Sequence, residues 1–154
     1  MPNDKPSRNG AGGAVSLGLL TSLLGYHLRR AQVAAFQNFA EVVGPSELTP
    51  GQFGVLVVIN ANPGLSQTQL GNALGIDRST VVAVIDRLES RGLVTREPSP
   101  NDRRSHALHL SAAGAAALAR LTERVRAHER TIARDLTAEE QASLIALLRK
   151  LARE

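Results

Sequence analysis

From Leu17 to Val43, apolar side chains return every three or four positions, at Leu17, Leu20, Leu24, Leu28, Ala31, Ala35 and Phe39. That spacing keeps one helical face apolar and predicts a single long amphipathic helix, ended by Gly44-Pro45. Thr49-Pro50-Gly51-Gln52 then starts a second helix. Thr caps it, Pro takes the first helical position and Gln at the third closes the capping box. This helix runs to about Asn60, and Asn62-Pro63-Gly64 breaks it. Ser66-Gln67-Thr68-Gln69 repeats the cap before a short helix that turns Leu70 and Leu74 inward and stops at Gly75. After Gly75-Ile76-Asp77, a helix from about Arg78 to Arg91 carries the inward stripe Val81, Val84, Ile85 and Leu88, with Gly92 as its left-handed cap. Two short helices joined by a tight Gly-containing turn form a helix-turn-helix.

Leu93 to Glu97 reads as a strand, Pro98 to Asp102 as turn chemistry and Ser105 to Leu110 as the returning strand. Ser111 caps a helix reaching about Arg134. A further capping box at Thr137-Ala138-Glu139-Glu140 opens the last helix, striped by Leu144, Ile145, Leu148 and Leu151. A helix-turn-helix followed directly by a hairpin is a winged helix, so the predicted fold class is mainly α. The first 14 residues, rich in Gly, Asn and Pro, read as a disordered tail.

Composition narrows the field. The chain has 154 residues and a formal net charge of +4. The excess is spread: residues 66–110, which hold the helix-turn-helix and hairpin, carry six basic and five acidic residues. A basic-patch argument for nucleic acid therefore fails, and placement has to carry it. There is no Cys, which excludes disulfides, thiolate metal sites and thiol-based sensing. The aromatics, Tyr26, Phe36, Phe39 and Phe53, all lie within the first 53 residues. Nothing later offers the stacking platform of a single-strand or RNA reader. No apolar run is long enough to span a bilayer and the start lacks a signal-peptide core, so a cytoplasmic protein without membrane contact is expected.

The segments Leu48-Thr49-Pro50-Gly51-Gln52-Phe53, Gly75-Ile76-Asp77-Arg78-Ser79-Thr80-Val81, Asp86-Arg87-Leu88-Glu89, Gly92-Leu93-Val94-Thr95-Arg96, Asn101-Asp102-Arg103-Arg104 and Leu110-Ser111-Ala112-Ala113-Gly114 occur in order. In that order and spacing the chain resembles the multiple antibiotic resistance regulator (MarR) family of bacterial transcription factors, over roughly residues 17–153. The resemblance implies a homodimer with interlocked first and last helices, a winged helix on each subunit and a crevice where small molecules bind. The domains then read as an N-terminal dimerisation helix at 15–48, a winged helix-turn-helix at 49–110 and C-terminal dimerisation helices at 111–154. Long Ala- and Leu-rich helices at both ends independently favour pairing, because one small winged helix has no core large enough to bury them.

In such a protein the helix beginning at Arg78 would lie in the major groove. Arg78 is a candidate for bidentate contact with guanine or, alternatively, for a phosphate. Ser79 and Thr80 are candidates for bases or phosphates. Val82 and Ala83 stand where the family commonly has polar residues, which suggests contact with thymine methyls. At the wing tip the resemblance implies that Asp102 orients an Arg and that Arg103 or Arg104 enters the minor groove. Gln67 and the helix start around it offer donors to a phosphate. Arg96 and Arg87 read as partners of Asp86 or Glu89. Tyr26, His27 and Arg30 are candidates for an effector's phenol or carboxylate, and His128 reads as a surface residue. His106 and His109, three apart on a strand, point to opposite faces and cannot share a metal. No phosphate loop or nucleophile–base arrangement stands out, so neither an enzyme nor a cofactor is expected. The expected function is a sequence-specific regulator of double-stranded DNA with a pseudo-palindromic operator, a repressor released by an aromatic or phenolic effector. The alternative is a winged-helix module for protein contact without a DNA role.

Overall fold

A computed structural model describes residues 15–45, 47–99 and 105–153. The predicted tail therefore lies outside the described residues. The described elements are a 3-10 helix Gly18–Ser22, α1 Leu24–Val43, α2 Pro50–Ala61, α3 Gln67–Leu74, α4 Arg78–Ser90, β1 Val94–Pro98, β2 His106–Leu110, α5 Ala112–Ile132 and α6 Ala138–Ala152. The chain divides into two compact units between Val33 and Ala34.

In the first unit the expected single helix from Leu17 is interrupted. Leu23 is extended, with φ −94° and ψ 123°, and separates the 3-10 turn from α1. The cause is local. Thr21 and Ser22 hydroxyls donate to the carbonyls three residues back, Gly18 O and Leu19 O. Such bonds compete with the helical ladder. His27 Nε2–H then donates to Thr21 O at 2.9 Å, satisfying a carbonyl that the break leaves free.

The second unit is organised around α2 and α4. On α2 the buried residues are Gln52, Val55, Leu56 and Ile59, one stripe at helical spacing. Thr49 and Gln52 complete their capping box in both directions, as do Ser66 with Gln69 and Thr137 with Glu140. Val81, Ile85 and Leu88 of α4 are buried among Leu56, Ile59, Leu70, Val94, Leu108 and Leu121. The strands β1 and β2 pair antiparallel, Val94 opposite Leu110 and Pro98 opposite His106. The loop after α2 joins this sheet: Gly64 N–H donates to Leu108 O at 2.8 Å, and Leu108 N–H to Leu65 O at 2.9 Å. The hairpin is thereby fixed to the helical core through backbone as well as side chains.

Helix α5 starts hard against the end of α4. Ser111 caps it through Gly114 N–H and donates its own hydroxyl to Gly92 O at 2.5 Å. A Cβ on Gly114 would stand 1.9 Å from Leu93 O and 2.9 Å from Leu93 C. Only glycine fits there, because the obstacle is backbone. Farther along α5, Arg120 binds the Glu47 carboxylate with both terminal nitrogens, at 2.6 and 3.2 Å. Arg124 Nη1 donates to Val43 O at 3.0 Å, and Arg91 Nη1 from the end of α4 to Glu47 O at 2.5 Å.

Gly114→Ala should destabilise the protein by about 1–3 kcal/mol or more, as overpacking against an unyielding wall does. Gly54→Ala in α2, where a Cβ meets nothing within 4 Å, should instead stabilise it by ~0.5–1 kcal/mol. Denaturant unfolding of both variants checks the pair, and equal effects would contradict the packing. Hydrogen bonds from Arg120 hold the Glu47 carboxyl below its ordinary 4.5. A depressed folded pKa contributes stability above the ordinary value, lost as pH falls through the folded one. Glu47→Gln should therefore lower the thermal midpoint near neutral pH and match wild type in acid. A difference unchanged on acidification would contradict it.

Candidate nucleic-acid interface

The helix-turn-helix is closed by three local devices. Gly75 ends α3 in the left-handed region at φ +62°, and its N–H donates to Gly71 O. Ile76 N–H also donates to Gly71 O, at 3.0 Å. Gly71 itself lies in close contact, since a Cβ there would stand 3.0 Å from Ile76 O and 3.1 Å from Val81 Cγ2. Asp77 then caps α4, accepting from Thr80 N–H at 3.0 Å. This geometry brings Gln67, Thr68, Asn72, Ile76 and Arg78 to one shallow cleft of about 250 Å³ between the amino ends of α3 and α4.

The expected reading face is exposed. Arg78, Ser79, Thr80 and Ala83 are exposed, and Val82 is half-buried. Ser79 and Thr80 are not idle, however: both hydroxyls donate to the Asp77 carboxylate. Those bonds hold the Asp77 carboxyl well below the usual carboxylate range, so it is ionised at neutral pH.

Behind this face one guanidinium joins three elements. Arg96 on β1 pairs with both Asp86 and Glu89 on α4. With its amide oxygen turned inward, Gln67 on α3 accepts from Arg96 Nε at 3.0 Å and Nη2 at 3.2 Å. Gln67 is half-buried. Arg96 takes both expected acidic partners, while Arg87 has no ion pair among the described residues. Asp102, Arg103 and Arg104 lie outside the described residues. Beyond the Pro98–His106 pair, Ser99 N–H donates to Ser105 O at 3.1 Å.

The three effector candidates cluster in the first unit. Arg30 Nη1 donates to Tyr26 Oη at 3.1 Å, with its guanidinium carbon 5.9 Å from the ring centroid. Tyr26 and His27 meet edge to face at 5.3 Å. A more apolar pair of cavities lies in the second unit. One, of about 580 Å³, is lined by Phe36, Phe39, Leu48, Pro50 and Gln52 among others. The other, of about 340 Å³, shares Phe36, Phe39 and Pro50 and adds Phe53, Val125 and His128. The expectation of a surface His128 is wrong: its side chain is buried, 5% exposed. Its Nδ1–H donates to Asn38 Oδ1 at 2.7 Å, and its ring meets Phe39 edge to face. The signal was present in the spacing of Leu118, Leu121, Val125 and His128, which continues the inward stripe of α5.

The Arg96 clamp has a measurable signature. A double-mutant cycle of Arg96→Met with Asp86→Ala should give a coupling of about 0.5–3 kcal/mol in unfolding experiments. Strict additivity would show that the pair holds nothing together.

Comparison with known proteins agrees with this geometry. The MarR family model matches residues 46–105. The transcriptional regulatory protein assigned to the hcr operon of Thauera aromatica is 44% identical over 138 residues, 89% of this chain and 83% of its own. The multiple antibiotic resistance protein MarR of Escherichia coli is 32% identical over 112 residues, 72% of this chain and 78% of its own. Among solved structures, the transcriptional repressor CouR bound to a 23-mer DNA duplex superposes with a TM-score of 0.83 at 44% identity, covering 90% of this chain and 98% of that one. CouR bound to p-coumaroyl-CoA gives 0.83 at 42%, covering 91% and 99%. From the helix-turn-helix with its attached hairpin, and from these likenesses over most of its length, the chain belongs to the MarR family of winged-helix transcriptional regulators.

Proposed function

We propose that the protein is a homodimeric repressor that places α4 in the major groove of a pseudo-palindromic operator and is released by an aromatic small molecule. The amino end of α4 carries this reading: Arg78, Ser79 and Thr80 are exposed on a helix whose opposite face is fixed in the core. Recognition helices of this kind read bases with their first residues. Arg78 offers a guanine the bidentate fork, and Val82 and Ala83 offer thymine methyls an apolar surface. Gln67 and the start of α3 hold a phosphate. At the wing tip one of Arg103 and Arg104 enters the minor groove, and the other pairs with Asp102 or a phosphate.

Pairing of two chains has its own support. Helix α6 has no buried residue, and Leu144, Ile145, Leu147, Leu148 and Leu151 are 40–61% exposed. Leu17, Leu19, Leu20, Leu23 and Leu24 of the first unit are equally bare. Apolar surface of this extent is what a second copy covers. Residues 15–48 and 111–154 thus serve dimerisation and 49–110 serve DNA. The half-sites then lie about 10 bp apart, centre to centre. A DNA-bound role places the protein in the cytoplasm, and it requires no catalytic step.

For the effector, the solved structure of CouR bound to p-coumaroyl-CoA points to an aromatic acyl group. The cavities bounded by Phe36, Phe39, Phe53 and His128 are apolar and of ligand size. Independently of those cavities, Tyr26, His27 and Arg30 of the first unit are candidates for contact with an effector's phenol or carboxylate. Release requires that the effector bind the DNA-free arrangement more tightly than the DNA-bound one.

The test is binding to the DNA upstream of its own gene, with competitor DNA, a salt series, and a panel of aromatic acids and their CoA thioesters. Binding should survive competitor, weaken steeply with salt, and be reversed by a member of the panel. Arg78→Ala should cost roughly five- to a hundredfold in affinity and relax sequence preference. Unchanged DNA affinity in both Arg78→Ala and Arg103→Ala would point instead to a protein-contact module.

A further inference from the structure

Three protons at the amino end of α4 converge on one carboxylate. Asp77 accepts from the Ser79 hydroxyl, from the Thr80 hydroxyl at 2.6 Å and from Thr80 N–H at 3.0 Å. Ionised, it has no proton to return. A hydroxyl owns one proton and two lone-pair sites. With those protons committed, Ser79 and Thr80, both exposed, turn only lone pairs outward. Guanine O6 and N7, thymine O4, adenine N7 and every phosphate oxygen are acceptors too, so they meet lone pairs with lone pairs. The donors on the major-groove edge are the amino groups of adenine N6 and cytosine N4.

Given that α4 enters the major groove as proposed above, we infer that Asp77 is a positioning residue that makes Ser79 and Thr80 obligate acceptors. The two hydroxyls then select the exocyclic amino group of adenine or cytosine and cannot donate to a phosphate. Rotating either hydroxyl toward an acceptor would strip a charge-assisted bond from Asp77, and such bonds are about twice as strong as neutral ones. Arg78 has donors only. The first three residues of α4 therefore present one donor followed by two acceptors, a pattern that base pairs can match and the uniform phosphate backbone cannot.

The test is selection of binding sites from random duplexes by the full-length protein, compared with Ser79→Ala, Thr80→Val and Asp77→Asn. In wild type, the positions whose preference disappears in Ser79→Ala or Thr80→Val should carry adenine or cytosine. Replacing such an adenine by purine, which lacks the N6 amino group, should cost wild type roughly two- to tenfold and the matching variant nothing further. Asp77→Asn keeps an oxygen to cap Thr80 N–H but presents an NH₂ to the Thr80 hydroxyl, whose proton is released. At the Thr80-dependent position this variant should admit guanine or thymine, a change in specificity that mere loss of helix stability does not produce. Should Asp77→Asn fail to fold, the Ser79 and Thr80 variants still decide. Guanine or thymine at the dependent positions, or no position responding to either variant, overturns the inference while leaving the regulator intact. Failure of wild type to enrich any sequence overturns the regulator reading itself.

Discussion

The inner face of α4 is the constraint from which the rest follows. Val81, Ile85 and Leu88 are almost fully buried, and a helix of 13 residues has little stability of its own in water. It is held by tertiary packing, and that packing sets its rotation. Once Val81, Ile85 and Leu88 point inward, Arg78, Ser79, Thr80 and Ala83 are exposed to solvent. The reading surface is thus a by-product of core formation. The close approach of Gly71 to Ile76 and Val81 fixes how α3 crosses it. Arg96 then ties the first wing strand to its outer flank through Asp86 and Glu89, so helix and wing share one frame.

Electrostatics adds direction without adding bulk charge. The winged region is nearly neutral by count, and three of its five carboxylates have local partners: Asp77 takes two hydroxyls, while Asp86 and Glu89 share Arg96. Asp77 keeps its charge, whereas Arg96 offsets part of that on Asp86 and Glu89, which repel an approaching phosphate backbone less than unpaired carboxylates would. Arg78, by contrast, makes no ion pair among the described residues and keeps its full donor set. Net charge is a poor guide to DNA binding in such a protein, and the local partner of each charge is a better one.

Much of this was legible in the sequence because it is local. Capping boxes at Thr49, Ser66 and Thr137, the turn at Gly75 and the stripe through Val81, Ile85 and Leu88 each depend on residues within one or two helical turns. What was not legible depends on contacts distant in sequence or on hydroxyl rotation. His128 looked like a surface residue because a lone polar side chain is usually exposed; its burial depends on Asn38, 90 residues away. The break at Leu23 depends on two small hydroxyls outcompeting an otherwise unbroken apolar period. That Asp86 and Glu89 both serve Arg96, with Gln67 on the same guanidinium, required knowing where β1 lies against α3 and α4.

The contact between Gly114 and the Leu93 carbonyl group has a mechanical meaning. Two backbones in contact, with no side chain between them, form a joint without compliance. Ser111, bonded to Gly92 O and receiving no slack from Leu93, closes the same joint from the other side. A flexible side chain at this place would absorb a small tilt of α5 by changing rotamer; bare backbone transmits it. Any change in the direction of α5 is therefore delivered undamped to the carboxyl end of α4 and the root of the wing, as a lever delivers force through a rigid fulcrum.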